Sequence, residues 1–276
     1  MLDKETIAAL QQAETLNKLI GHVEKVTASG FNAVVLPDGF KLADVECYLP
    51  NRVRFTGQFN TNSVLSFSEY VRDRGADSAR VFVDADSMNA TAILDFVSFG
   101  VALHCEDKAI VKAKRKAEYS ALLVFTSERH SQKAFAEFLE DYADYICCFD
   151  ADNDPIDIKK AISAVRRIEI NAKASATSEV KSFSSEKSAF ESMSVNEENK
   201  LPHTIRFSCV PYAEFSEFSF DIRPAVITGN EVKLSARMVQ REEKQEEIAN
   251  YFCDLITGKL EELEIEAPIN IGTFSK

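Results

Sequence analysis

In FSEFSFDIR (Phe215–Arg223), Phe218, Phe220 and Ile222 alternate with Glu217, Ser219 and Asp221. A period of two sends successive side chains to opposite faces of a strand, so this stretch has one apolar and one polar face. Thr228-Gly229-Asn230 then offers turn residues before Val232–Val239, and the two runs read as an antiparallel hairpin. Next comes a helical period. In Arg241–Leu263, Ile248, Tyr251, Phe252, Leu255, Ile256 and Leu263 fall on one side, while Glu crowds the other. A sheet with one apolar face and a helix with one apolar stripe must bury them, so a C-terminal antiparallel sheet covered by a long helix is expected.

The same two periods run through the rest of the chain. Arg52–Phe59 alternates like a strand, and Asn62 or Ser63 can cap a helix holding Leu65, Tyr70 and Val71. Val81-Phe82-Val83 and Thr91–Phe96 read as a hairpin around the acidic-polar turn Asp84–Asn89. Ser131 caps a helix with the stripe Phe135, Phe138, Leu139 and Tyr142, and Asp154-Pro155 reads as the start of another over Ile156–Ile168. Residues 3–28 read as an amphipathic helix, Ala33–Pro37 as a strand leaving through the turn Pro37–Gly39, and Thr204–Val210 as a further strand. The class is therefore α+β, with mixed helices and a largely antiparallel sheet. A boundary near residue 166 divides an N-terminal α+β region (1–166) from the sheet and long helix (167–276), although two lobes sharing one sheet would give the same pattern. Lys173–Lys200, rich in Ser, Glu, Lys and Asn, is either a linker or an exposed hairpin, and its Thr/Val/Phe alternation favours the hairpin.

Five blocks carry a family likeness: LPNRVRFTGQFNTNSVLSFSEYV (Leu49–Val71), RVFVDADSMNATAILDF (Arg80–Phe96), SQKAFAEFLED (Ser131–Asp141), FSCVPYAEF (Phe207–Phe215) and INIGTF (Ile269–Phe274). Together they resemble the YfdQ-like proteins of phages and prophages, a family of unknown function. The resemblance implies a phage, prophage or mobile-element protein made in the host cytoplasm. The blocks are aromatic, apolar and turn residues, and none is a catalytic signature.

Composition narrows the function classes. No apolar run approaches the length of a membrane span, and MLDKETIAALQQAE lacks the features of a secretory signal, so a cytoplasmic protein with no membrane partner is expected. In that compartment Cys47, Cys105, Cys147, Cys148, Cys209 and Cys253 are expected to be reduced and buried as small hydrophobes. Phosphate-loop, dinucleotide-binding, zinc-protease and serine-hydrolase motifs are absent. No metal and no cofactor is expected. Asp150-Ala-Asp152-Asn-Asp154 begins like a calcium loop, but Pro155 and Ala161 stand where that loop needs Gly and Glu. An acidic turn is expected instead.

Charge offers the stronger leads. Lys108, Lys112, Lys114, Arg115 and Lys116 place five positive charges in nine residues without an acid, in a chain of net charge −12. If Ala109–Leu123 is one strand, Lys112, Lys114 and Lys116 form a row on one face. Such a row is either a solvated strand face that discourages edge pairing or a stripe that contacts phosphates. Half of the net negative charge falls in Arg241–Glu266, either a solvated helix face or an acidic surface that occupies a nucleic-acid-binding partner. Asp95 with Glu106 and Lys108 has the residue types of a Mg²⁺ nuclease core, where carboxylates hold the ion and a lysine positions water. These leads give a first reading: a non-enzymatic, homo-oligomeric accessory in phage DNA metabolism or recombination, touching single- or double-stranded DNA through the basic row. The alternatives are an inhibitor that binds a host nuclease or defence complex, and the nuclease itself.

Overall fold

A computed structural model describes residues 13–15, 50, 55–75, 78–168, 201–227 and 233–275. The chain divides into two units, Met1–Phe55 and Thr56–Lys276. Within the first, Ala13–Thr15 are helical. The remainder of the helix expected over residues 3–28, the Ala33–Pro37 strand and its turn, Arg52–Arg54, Lys173–Lys200 and Thr228-Gly229-Asn230 lie outside the described residues.

The second unit opens with β1 (Gly57–Thr61), α1 (Val64–Gly75), β2 (Arg80–Asp84), β3 (Asn89–Ile93), β4 (Val97–Ser98), β5 (Val101–Ala102) and β6 (Asp107–Lys112). It continues through α2 (Ala117–Phe125), β7 (Arg129–Ser131), α3 (Gln132–Asp141), β8 (Ile146–Phe149), β9 (Pro155–Ile156) and α4 (Ile158–Arg166). Then follow β10 (Thr204–Cys209), β11 (Phe218–Ile227), β12 (Lys233–Met238), α5 (Arg241–Glu262) and β13 (Ile269–Ile271). The fold is α+β, as the two periods imply.

The first sheet has the order β1-β6-β3-β2-β13, the second β7-β12-β11-β10-β8-β9, and β4 pairs with β5 alone. All pairs of the second sheet are antiparallel. In the first sheet the outer pairs β1–β6 and β13–β2 are parallel and the inner ones antiparallel. Strands from both sides of residue 166 enter each sheet.

Alternation decides which face is buried. Val81, Val83, Ala90, Ala92, Ala109 and Val111 point from the first sheet into the core, together with Phe67 and Val71 of α1. Ile205, Phe207, Phe220, Ile222 and Leu234 do the same from the second sheet. There Tyr119 of α2 stacks on Phe220 at 5.2 Å, and Phe138 of α3 lies 6.1 Å from Phe207. On α5, Tyr251 and Phe252 sit 5.1 and 6.1 Å from Phe215, just before β11. One continuous apolar cluster results, built on Phe and Tyr in a chain without Trp. Each fully buried Phe contributes about 1.5–3 kcal/mol through area removed from water.

Helix starts follow side-chain caps. Ser131 Oγ accepts from Ala134 N at 3.1 Å at the head of α3, and Ser63 Oγ accepts from Ser66 N at 3.2 Å at the head of α1. The α1 amides Val64 N and Leu65 N also donate to Glu214 Oε2, at 2.9 and 3.4 Å.

Three expectations need correction. The strand expected over Ala109–Leu123 ends at Lys112, and Ala117–Phe125 is helix. Tyr119, Leu122 and Phe125 recur every third residue, and burying that stripe outweighs the alternation of the short lysine run. The helix expected from Asp154-Pro155 starts later, with Asp157 as its cap accepting from Lys159 N at 2.9 Å. Pro155 lies instead in β9 opposite Phe149, because Asp150 Oδ1 accepts from Asp152 N and Asp154 N and closes a turn first. Cys147 is exposed, since alternation along β8 turns it away from buried Cys148.

Candidate nucleic-acid interface

The basic segment is split between two settings. Lys108 and Lys112 belong to β6, on the face opposite buried Asp107, Ala109 and Val111, with Lys108 beside Gln58 and Ile93 and Lys112 beside Asn89. Lys114, Arg115 and Lys116 lie in the extended crossing from β6 to α2. Their backbone is fastened to Pro211–Ala213: Ala213 N donates to Lys114 O at 2.9 Å, and Lys116 N to Pro211 O at 3.0 Å. Arg115 forms a β-bridge with Tyr212, its guanidinium 5.9 Å from that ring. Lys112, Lys114, Arg115 and Lys116 are exposed and Lys108 is half-buried. Among the described residues none of the five forms an ion pair.

At the start of β6 the Asp95 carboxylate meets backbone, accepting from Glu106 N at 3.1 Å and Asp107 N at 3.0 Å, and Lys108 lies on the strand face opposite Asp107. Asp107 is buried beneath the sheet, 3.3 Å from Arg74 Nη2, and burial pushes its carboxyl above the usual range. Among the described residues, no group of three or more His, Cys, Asp or Glu side chains is placed to hold a metal ion.

Strand register also assembles a group that the sequence reading missed. Arg129, Arg206, Arg223, Lys233 and Arg237 all lie on the side of the second sheet away from the helices, since their neighbours His130, Ile205, Ile222, Leu234, Ala236 and Met238 point inward. They come from four separate strands, Lys233 and Arg237 both from β12, so only the pairing of those strands unites them. A signal was available in the alternation of Arg206 and Arg237 with apolar neighbours, but the register that aligns them is a tertiary fact.

The acidic helix α5 keeps most of its carboxylates exposed, and its Lys244 and Lys259 are tied to Glu247 and Glu262 at 2.6 and 2.5 Å. Among the described residues no helix is long and apolar enough to cross a membrane. No curated protein and no solved structure matches the chain. A family match covers residues 4–274, nearly the whole sequence, and by it the chain belongs to DUF2303, a family of uncharacterized conserved proteins.

Proposed function

We propose that the protein is a non-enzymatic accessory in the DNA metabolism of a phage or other mobile element, contacting nucleic acid through Lys108, Lys112, Lys114, Arg115 and Lys116. One observation carries this reading: four exposed cations without ion-pair partners among the described residues, Lys112 at the end of β6 and Lys114, Arg115 and Lys116 on backbone fastened to Pro211–Ala213. Backbone fixed in this way loses little further freedom when phosphates take up the side chains it carries. The likeness to YfdQ-like phage and prophage proteins supplies the setting, in the host cytoplasm. A net charge of −12 opposes long-range attraction of DNA, so the contact is local and modest. Five phosphate contacts on a duplex would give a log–log salt slope of at most about 4.5.

The test is a titration of labelled single-stranded and duplex DNA at low and moderate salt, repeated with Lys112, Lys114 and Lys116 changed to Glu. Salt-sensitive duplex binding lost in the triple variant is expected. Duplex binding that survives the triple change would refute the assignment to this segment.

A second reading, an inhibitor that binds a host protein, is favoured by the β4–β5 hairpin. Its turn residues Phe99 and Gly100 both have positive φ, 49° and 80°, and the Phe99 ring is fully exposed beside exposed Val101 and Leu103. It predicts a stable complex with a host nuclease or defence protein that is lost on Phe99→Asp.

A further inference from the structure

The face of the second sheet away from the helices carries charge and π surface together. One row across it runs Phe149, Thr204, Arg223, Arg237 on β8, β10, β11 and β12: Phe149 pairs with Thr204 and Arg223 with Arg237, and the register Ile205–Ile222 sets Thr204 level with Arg223. With strands about 4.8 Å apart, that row spans roughly 14 Å. On one side lies Cys147–Arg206–Asp221, on the other Ala225–Ser235–Arg129, followed by Ile227–Lys233–Ser131. Asp221 is the one acid among these positions, and Arg206 Nε already holds it at 2.8 Å. Arg129, Arg223, Lys233 and Arg237 have no carboxylate partner among the described residues; Arg223 instead donates to the ring of His203, 2.6 Å from Nδ1.

Arg223 and Arg237 face each other directly across an antiparallel pair. Like charges so placed weaken a sheet, and a bound anion between them removes the repulsion. Phe149 supplies the π surface, with the Arg206 guanidinium 5.2 Å from its ring centroid. The intervening side chains are short, Thr204, Ser208, Ser219, Ala225 and Ser235, so planar groups can lie close to the sheet. Among the described residues no helix rises from these rows to enter a duplex groove, whereas a basic face with an aromatic suits splayed bases and a flexible backbone.

We propose that this face is a platform for single-stranded nucleic acid, with Arg129, Arg223, Lys233 and Arg237 on phosphates and the Phe149–Arg206 pair under a base. It rests on the nucleic-acid reading above and adds the strand class and a second surface. Four phosphate contacts to a single strand give a log–log salt slope of about 2.8, so affinity should fall on the order of 50-fold between 50 and 200 mM salt.

The test uses the full chain in fluorescence-anisotropy titrations with 20-mer oligo(dT), 20-mer oligo(U) and a 20-base-pair duplex, at both salt concentrations. Tighter binding of a single strand than of duplex is expected, the better of the two oligomers naming the preferred sugar. Arg237→Glu should weaken single-strand binding at least tenfold and flatten the salt slope. The same change places a carboxylate opposite Arg223, so the thermal midpoint should hold or rise, separating loss of binding from loss of fold. Phe149→Ala should weaken binding without changing the slope. Wild-type-like binding by Arg237→Glu and Arg223→Glu, with loss in the Lys112/Lys114/Lys116 triple variant, would overturn the platform and leave the broader reading standing. Failure of the wild type to bind any probe at 50 mM salt would overturn both.

Discussion

Glu214 lies 150 residues from Val64 in sequence, yet its carboxylate takes the first two amides of α1. Those amides have no partner inside the helix, and the N-terminus carries partial positive charge, so an anion there is favourable twice over. Caps of this kind contribute about 1 kcal/mol, and the charge on an exposed acceptor adds a few tenths more. Glu214→Ala should therefore cost about 1–1.5 kcal/mol, a thermal midpoint lower by roughly 3–5 °C for a unit of this size. Glu214 also holds a φ of 68°, strained for any residue with a Cβ. Glu214→Gly loses the same bonds but relieves that strain, at some cost in unfolded-chain freedom, and should lose about half as much. Glu214→Gln keeps an acceptor oxygen and should lose least. The assay is urea and thermal unfolding of the three variants, with amide exchange at Val64 and Leu65 as the local probe. Equal losses for Ala and Gln, or unchanged protection of those amides, would refute the cap. Ser63 caps the same helix end through Ser66 N, so Ser63→Ala combined with Glu214→Ala should not be additive.

Three other outcomes follow from burial. Burial raises the Asp107 carboxyl pKa above its ordinary 3.8, so the folded state binds that proton more tightly than the unfolded chain. The stability this lends is full below 3.8 and lost as pH rises through the raised value; Asp107→Asn should remove that dependence in urea midpoints taken from pH 3 to 7. Phe252 is fully buried on α5, and Phe252→Ala should cost about 3–5 kcal/mol in denaturant unfolding; a loss below 1 kcal/mol would contradict its place in the core. Under native conditions iodoacetamide should alkylate exposed Cys147 well before Cys148 and Cys209, whose thiols burial pushes up to about 12, and mass spectrometry of the peptides would read the order.

Local signals explain why much of this fold could be read from the sequence. Phe218, Phe220 and Ile222 are inward as their alternation requires, Ser131 caps the helix it precedes, and β2–β3 is the hairpin expected around Asp84–Asn89. Failures came where two local signals competed or where pairing is distant. The Lys112–Lys116 alternation hid the helical stripe of Tyr119, Leu122 and Phe125, and the turn closed by Asp150 displaced the start at Asp154 to Asp157. The β4–β5 hairpin depends on two left-handed residues, one of them Phe99, and a phenylalanine gives no turn signal. The basic segment was visible as composition, but its fastening to Pro211–Ala213 was not. Nor was the alignment of Arg223 with Arg237, because a one-residue slip in β12 would send Arg237 into the core.

The parallel pairing of β13 with β2 has a consequence for synthesis. Ile269 meets Val81 across about 190 residues of chain, so β2 is made long before its neighbour. Until Ile269–Ile271 has left the ribosome, Arg80–Asp84 is a bare sheet edge, and Phe82 lacks the ring of Phe274 that stacks on it at 5.1 Å. A nascent chain stalled or cleaved in that interval presents a strand that another copy can pair with. The time taken to translate from β2 to β13 thus sets how long each molecule stays prone to aggregation.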